Sequence, residues 1–143
     1  MKKFNIRVYG IIQFDSFILV SDEKFNGKTI TKFIGGGLEY GEGLIDCLKR
    51  EFIEELGIEI EILRHFYTTD FFVESLSNKN QQIISIYYLI KPKELKGKFS
   101  LNSQNSDQKL KWIDLNTTTD DSISLIIDKK VFNLLKGIEE TKV

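Results

Sequence analysis

The chain holds a single cysteine, Cys47, so an intrachain disulfide is excluded and a reducing interior is the default. It has no apolar run near the ~18 residues that a membrane span requires. The opening segment Met1-Lys2-Lys3-Phe4-Asn5 lacks the apolar stretch of a secretory leader. A cytoplasmic location without membrane contact is therefore expected. An excess of basic charge is also missing. With 20 Lys and Arg against 21 Asp and Glu, a net charge of −1 gives no general electrostatic grip on nucleic acid. A small anionic ligand stays open, because a bound cation can supply positive charge locally. No repeat, linker or low-complexity tract divides the 143 residues, so one domain over 1–143 is expected.

What is present is a succession of strand patterns interrupted by two helical ones. Residues 4–14 are β-branched and aromatic, Asp15-Ser16 offers a turn, and residues 17–20 complete an expected hairpin. Residues 21–28, polar with Gly27, read as a loop, and 29–34 as another strand. Gly35-Gly36-Gly37 should then break any regular pairing. From 43 to 56 the apolar period becomes helical, and Gly57 stops it at the usual C-terminal position. Residues 58–75 read as strand with a turn near Thr68-Thr69-Asp70, and 77–80 as a loop. The strongest strand is 82–90, closed by Pro92. Residues 94–108 read as a long loop carrying a short strand at 98–101. A strand at 110–115 surrounds Trp112, and 124–135 reads as a second helix.

The first helix carries an energetic oddity. On a wheel of about 100° per residue, Leu44, Ile45, Leu48, Phe52 and Leu56 gather into one apolar arc. Glu55 projects between Leu44 and Leu48, Glu51 lies beside Leu44, and Glu54 borders Glu51 on the far side. Like charges at such spacings repel by roughly a few tenths of a kcal/mol per pair. Partial burial adds a desolvation penalty. A divalent cation removes both objections, since Mg²⁺ prefers carboxylate oxygens. Arg50 can pin one neighbouring carboxylate and leave the others to a metal. The glycines ahead of the helix let backbone groups approach a ligand closely. A bare E-x-x-E-E is more often a solvated face, and three glycines more often a tight turn. The combination at fixed spacing changes that balance.

Residues 36–58 run Gly36, five residues, Glu42, seven residues, Arg50-Glu51-Phe52, one residue, Glu54-Glu55, one residue, Gly57-Ile58. This pattern resembles the Nudix box at every defining position, and the chain looks like a MutT-like Nudix hydrolase. The later Trp112-Ile113-Asp114-Leu115 resembles a tryptophan-bearing strand of that family. The resemblance implies an α/β (α+β) fold, an α/β/α sandwich whose mixed β-sheet is flanked by helices. The box would form a loop–helix–loop, and a helix at 128–136 would cover the other face.

By the same resemblance Glu51, Glu54 and Glu55 would bind Mg²⁺, or Mn²⁺ as substitute, with a carbonyl at Gly35 or Gly36 completing the shell. Glu54 would act as the base, and Arg50 would orient the glutamates. Glu42 would hold the loop, and Gly57 would end the helix. The implied reaction is attack of water on a P–O–P link in a nucleoside diphosphate joined to another moiety, such as a nucleoside triphosphate, ADP-ribose or a sugar nucleotide. The competing function is a catalytically silent Nudix-like module that senses a nucleotide. A structural protein whose acidic helix binds Ca²⁺ is disfavoured, because the EF-hand loop pattern is missing.

Two positions depart from the family. Ile34 stands where proline usually precedes the glycines, and Lys111 directly precedes Trp112. Asp107 is then the nearest candidate for an acidic residue outside the box. For substrate stacking Phe72 and Tyr88 are the candidates, although most aromatics in alternating strands are core. Arg7 and Lys32 can meet phosphates, or simply occupy a solvated strand face. His65 reads as structural, and Cys47 as half-buried and inert. The expected partner is a nucleotide-like small molecule; no residue reports the oligomeric state, although the apolar N-terminal strands could pair with a second copy of the chain.

Overall fold

The computed structural model describes residues 1–94 and 101–141, with side chains of the second stretch described as far as Gly137. Its spine is Lys3–Phe14 (β1), whose period-2 alternation serves two cores at once. Tyr9 and Ile11 point into one apolar cluster, and Val8 and Ile12 into another. The other strands are Phe17–Phe25 (β2), Lys28–Lys32 (β3), Ile34–Gly37 (β4), Ile60–Thr68 (β5), Gln81–Pro92 (β6) and Gln108–Asp114 (β7). Two helices, Leu44–Leu56 (α1) and Ile126–Thr141 (α2), and a short 3₁₀ turn at Asp120–Ser122 complete the described elements.

These seven strands form a mixed sheet in the order β3-β2-β1-β6-β5, with β4 added on β1 and β7 on β2. β1 runs parallel to β6 from Lys3↔Gln81 to Ile12↔Ile90. It meets β2 only next to the turn, at Gln13↔Ile18 and Phe14↔Phe17. Beyond that point β2 turns away and β4 takes the vacated edge, from Arg7↔Gly37 to Gly10↔Ile34. β2 continues with β3 and β7 as its partners. Helix α1 buries Cys47, Leu48, Phe52 and Leu56 on the Val8/Ile12 face. Helix α2 buries Ile127, Val131, Phe132 and Leu135 on the Tyr9/Ile11 face. The architecture is the expected mixed sheet between helices.

Several local expectations are corrected. The three glycines do not break pairing; they form most of β4. A Cβ on Gly35 would lie 2.0 Å from the Val8 carbonyl oxygen, so the missing side chain is what lets β4 approach β1. Residues 21–25 are strand, joined to β3 through Asn26-Gly27, both with positive φ (48° and 77°) as a two-residue hairpin turn requires. Their polarity does not mark a loop: Ser21 is buried, and Asp22 and Glu23 are half-buried in the sheet. After Thr68 the chain leaves β5, and only an isolated Glu74↔Gln82 bridge remains of the strand read to residue 75. Ile45, placed in the apolar arc, is 41% exposed, because the buried arc centres on Cys47, Leu48 and Phe52. The expected strand at 98–101 falls mostly outside the described residues. Over residues 7–10 both edges of β1 are taken within the chain, by β6 and β4, which removes that free edge from any pairing between copies. Among the described residues no helix is long and apolar enough to cross a membrane.

Helix α2 is fastened by a buried carboxylate. Asp128, in its first turn, accepts the Phe33 N–H at 3.1 Å and the Tyr87 hydroxyl in a short hydrogen bond. Tyr87 in turn stacks on Tyr9, with ring centroids 5.2 Å apart. Burial pushes the Asp128 carboxyl up and the two donors pull it down. Asp128→Ala would strand both donors in an apolar core, so a destabilisation of about 3 kcal/mol is expected. Urea titration checks this; an unshifted midpoint would contradict the latch.

Candidate active site

The box loop and α1 are tied together by one guanidinium. Helix α1 starts at Gly43, whose N–H donates to the Asp46 carboxylate at 3.2 Å, and ends at Gly57 in the left-handed region (φ 67°). Between β4 and the helix, Glu42 accepts the Glu39 N–H at 2.8 Å. Arg50 grips Glu42 with two bonds, from Nη2 at 2.7 Å and Nε at 3.0 Å. The same guanidinium donates to the Gly37 carbonyl at 3.2 Å, to Glu51 at 3.1 Å and to both oxygens of Glu54 at 3.3 Å. The Arg50 hydrogen bond holds the Glu42 carboxyl well below its usual range, at about 2, helped by the Glu39 amide. Arg50 is raised in return, first by Glu42.

Each glutamate has a different setting. The Glu51 carboxylate lies against Gly36, where an added Cβ would sit 2.3 Å from its Cδ and Oε1. Glu54 is 56% exposed and is held from one side by Arg50. Glu55 is partly buried; desolvation raises its carboxyl, and the Gln108 amide opposes that shift. Cys47 is fully buried rather than half-buried, and burial together with nearby Glu42 pushes its thiol up to about 12, outside the reactive range. Among the described residues no three acidic, histidine or cysteine side chains stand close enough together to hold an ion. Arg50 draws Glu42, Glu51 and Glu54 toward itself.

Beside this cluster, on the α2 face, opens a cleft of about 500 Å³. Its walls come from β1, the end of β2, β3, β6, residues 73–77 and the start of α2. Its floor carries Arg7, Tyr9 and Lys32. The Arg7 Nε donates to the Tyr9 hydroxyl at 2.6 Å, and the guanidinium lies 5.7 Å from the ring centroid. Lys32 sits 5.5 Å from the same centroid and pairs with Glu23 at 3.1 Å. Among the described residues no carboxylate forms an ion pair with Arg7. Arg7 faces Gly37 in the β1–β4 register and feels the Glu51 charge, so the cleft adjoins the box. Burial lowers its proton affinity, and Tyr9 and Glu51 more than restore it.

The other candidates are not gathered there. Tyr88 points to the opposite face, by the alternation that turns Tyr87 inward, and meets His65 edge-on at 5.8 Å. Phe72 is 67% exposed and lines a separate depression with Lys2, Phe4 and Lys79. Asp107 is exposed in a turn, and the following residue, Gln108, reaches Glu55 instead, at 3.2 Å. Nothing in a single sequence marks that glutamine as part of the site.

Solved structures share this fold. The E. coli ORF135 protein is 20% identical, with a TM-score of 0.78 over 99% of this chain and 94% of its own. A MutT Nudix hydrolase from Burkholderia pseudomallei is 17% identical, with a TM-score of 0.71 over 91% and 96%. A MutT protein from Methanosarcina mazei is 19% identical, with a TM-score of 0.70 over 99% and 98%. These likenesses establish the fold. No curated protein matches at a significant level. The model of the NUDIX domain matches residues 1–132, nearly the whole chain, and so this protein belongs to the NUDIX family and is a Nudix-type hydrolase.

Proposed function

We propose that the protein hydrolyses a diphosphate link in a nucleotide-like substrate, with Mg²⁺, or Mn²⁺ in its place, as cofactor. The observation that carries this is the Arg50-centred set of glutamates beside a cleft floored by Arg7 and Lys32. The donor set suits a hard cation, being carboxylate oxygens over a strand whose Gly36 leaves room for Glu51 alone. Glu51, Glu54, Glu55 and a carbonyl at Gly35 or Gly36 would hold the ion. When bound, it would polarise the attacking water and neutralise charge on the phosphate oxygens.

The chain's own groups do the rest. Glu54, exposed to solvent, takes the proton from water. Arg50 keeps the carboxylates spaced and the loop closed on the helix. Arg7 and Lys32, both lining the cleft, are placed to meet the substrate's phosphate oxygens. Ile30, Val73, Ile83 and Ile127 give the organic half of the substrate an apolar wall. Nucleoside triphosphates, ADP-ribose-type compounds and sugar nucleotides, assayed with Mg²⁺ and with Mn²⁺ and with products resolved, test this. Expected is metal-dependent release of a nucleoside monophosphate from one class. Metal-dependent binding without turnover in all classes would favour the sensing module instead.

A further inference from the structure

Glu55 differs from its neighbours in having a neutral partner. Arg50 pairs with Glu51 and Glu54, whereas Glu55 Oε2 accepts the Gln108 side-chain amide at 3.2 Å. Gln108 is 4% exposed, so its amide cannot turn away to water. Its carbonyl oxygen accepts from the Ser103 hydroxyl at 2.8 Å, a proton shared with the Asn105 carbonyl at 3.0 Å, and a carboxylate can take a hydrogen bond only from the NH₂ end. The same segment is stitched to the end of α1 twice more. The Gln104 N–H donates to the Glu55 carbonyl at 2.7 Å, and its side-chain amide to the Leu56 carbonyl at 3.4 Å. The last carbonyls of a helix have no partner within it, so residues 103–108 complete that helix end. Gln108 also opens β7, paired opposite Glu23 of β2, so a sheet delivers the amide.

The geometry points to Gln108 as a positioning residue that holds Glu55 by one oxygen and turns the other toward the divalent cation, with Ser103 fixing which end of the amide faces the carboxylate. This rests on the function proposed above. Among the described residues Glu55 Oε1 carries no side-chain hydrogen bond, which fits that division of labour. A neutral amide does this without competing for the ion, as a Lys or Arg would by pairing with the carboxylate. Partners of this kind that orient a ligating carboxylate strongly influence metal affinity.

Calorimetric titration of the whole protein with Mn²⁺ and no substrate, together with thermal midpoints in EDTA, tests the assignment. Gln108→Leu is expected to weaken Mn²⁺ binding by about tenfold. Gln108→Glu sets a second carboxylate beside Glu55, so its midpoint in EDTA should fall while Mn²⁺ binding tightens by about tenfold, as added ligand charge dictates. Should Gln108→Glu not fold, Ser103→Ala, which releases the amide and also drops the Asn105 N–H bond to that hydroxyl, should weaken Mn²⁺ in the same direction as Gln108→Leu. Lowered midpoints with Mn²⁺ affinity unchanged in every folded variant would make Gln108 merely structural and overturn the inference. Absence of Mn²⁺ uptake by the wild type would instead remove the functional proposal beneath it.

Discussion

Glu54→Gln should lower turnover of the metal-dependent substrate by about 10²–10⁴-fold, the range a positioned proton acceptor contributes. The substitution keeps the shape of the side chain and removes its charge and basicity. Because Glu54 is 56% exposed and its Arg50 contact is one of several that Arg50 makes, the fold should hardly register the change. An exposed ion pair of this kind is worth about 0–1 kcal/mol. The expected signature is therefore a collapsed kcat with a thermal midpoint close to that of the wild type. Both substitutions should weaken metal uptake, Glu51→Gln the more strongly, because Glu51 is more enclosed, lies over Gly36 and shares Arg50. If Glu54→Gln kept wild-type turnover, the base would have to be sought elsewhere on the helix.

Two adjacent glycines should respond to the same substitution in opposite ways. At Gly35 an added Cβ would sit 2.0 Å from the Val8 carbonyl oxygen and 2.7 Å from the Tyr9 Cα. Both are backbone atoms of β1, the central strand, and neither can move without disturbing the β1–β4 pairing. Gly35→Ala should destabilise the protein by about 1–3 kcal/mol or more, the scale of overpacking in a close-packed interior. At Gly36 the obstruction, 2.3 Å away, is the Glu51 carboxylate, the far end of a flexible side chain. That group can swing aside at little expense to the fold, but it then leaves the cluster. Gly36→Ala should accordingly melt near the wild-type temperature and lose about 10–100-fold in metal affinity. Paired melting curves and Mn²⁺ titrations separate the two cases. Equal losses of stability in both variants would mean that Glu51 is not seated where the cluster requires it.

The parts of the fold legible in the sequence are those whose signal is local and periodic. Helix α1 announces itself through Leu48, Phe52 and Leu56 and through Gly57, and the box spacing that rides on it is readable for the same reason. β4 is not readable in this way. Glycine is a breaker in pattern terms, and its value here comes from the closeness of another strand, which no local pattern reports. The strand at 21–25 is hidden by its polar side chains, although Asn26-Gly27 does carry a hairpin signal. The cleft depends on Arg7, Lys32 and Ile83 meeting from three strands far apart in the chain. Tyr88 and Phe72 show the converse: aromatic character is visible in the sequence, but the face it ends up on is not. Gln108 belongs to the same class, because its contact with Glu55 joins residues 53 positions apart.

Electron paramagnetic resonance of Mn²⁺ titrated into the wild type, and into a variant with Glu51, Glu54 and Glu55 all changed to Gln, addresses the metal directly. The wild type should take up the ion into a bound, broadened signal, and the triple variant should leave it as the free hexaaqua species while melting as a folded protein. Equal uptake by the two proteins, or none by the wild type, would contradict the claim that these three carboxylates hold the cofactor.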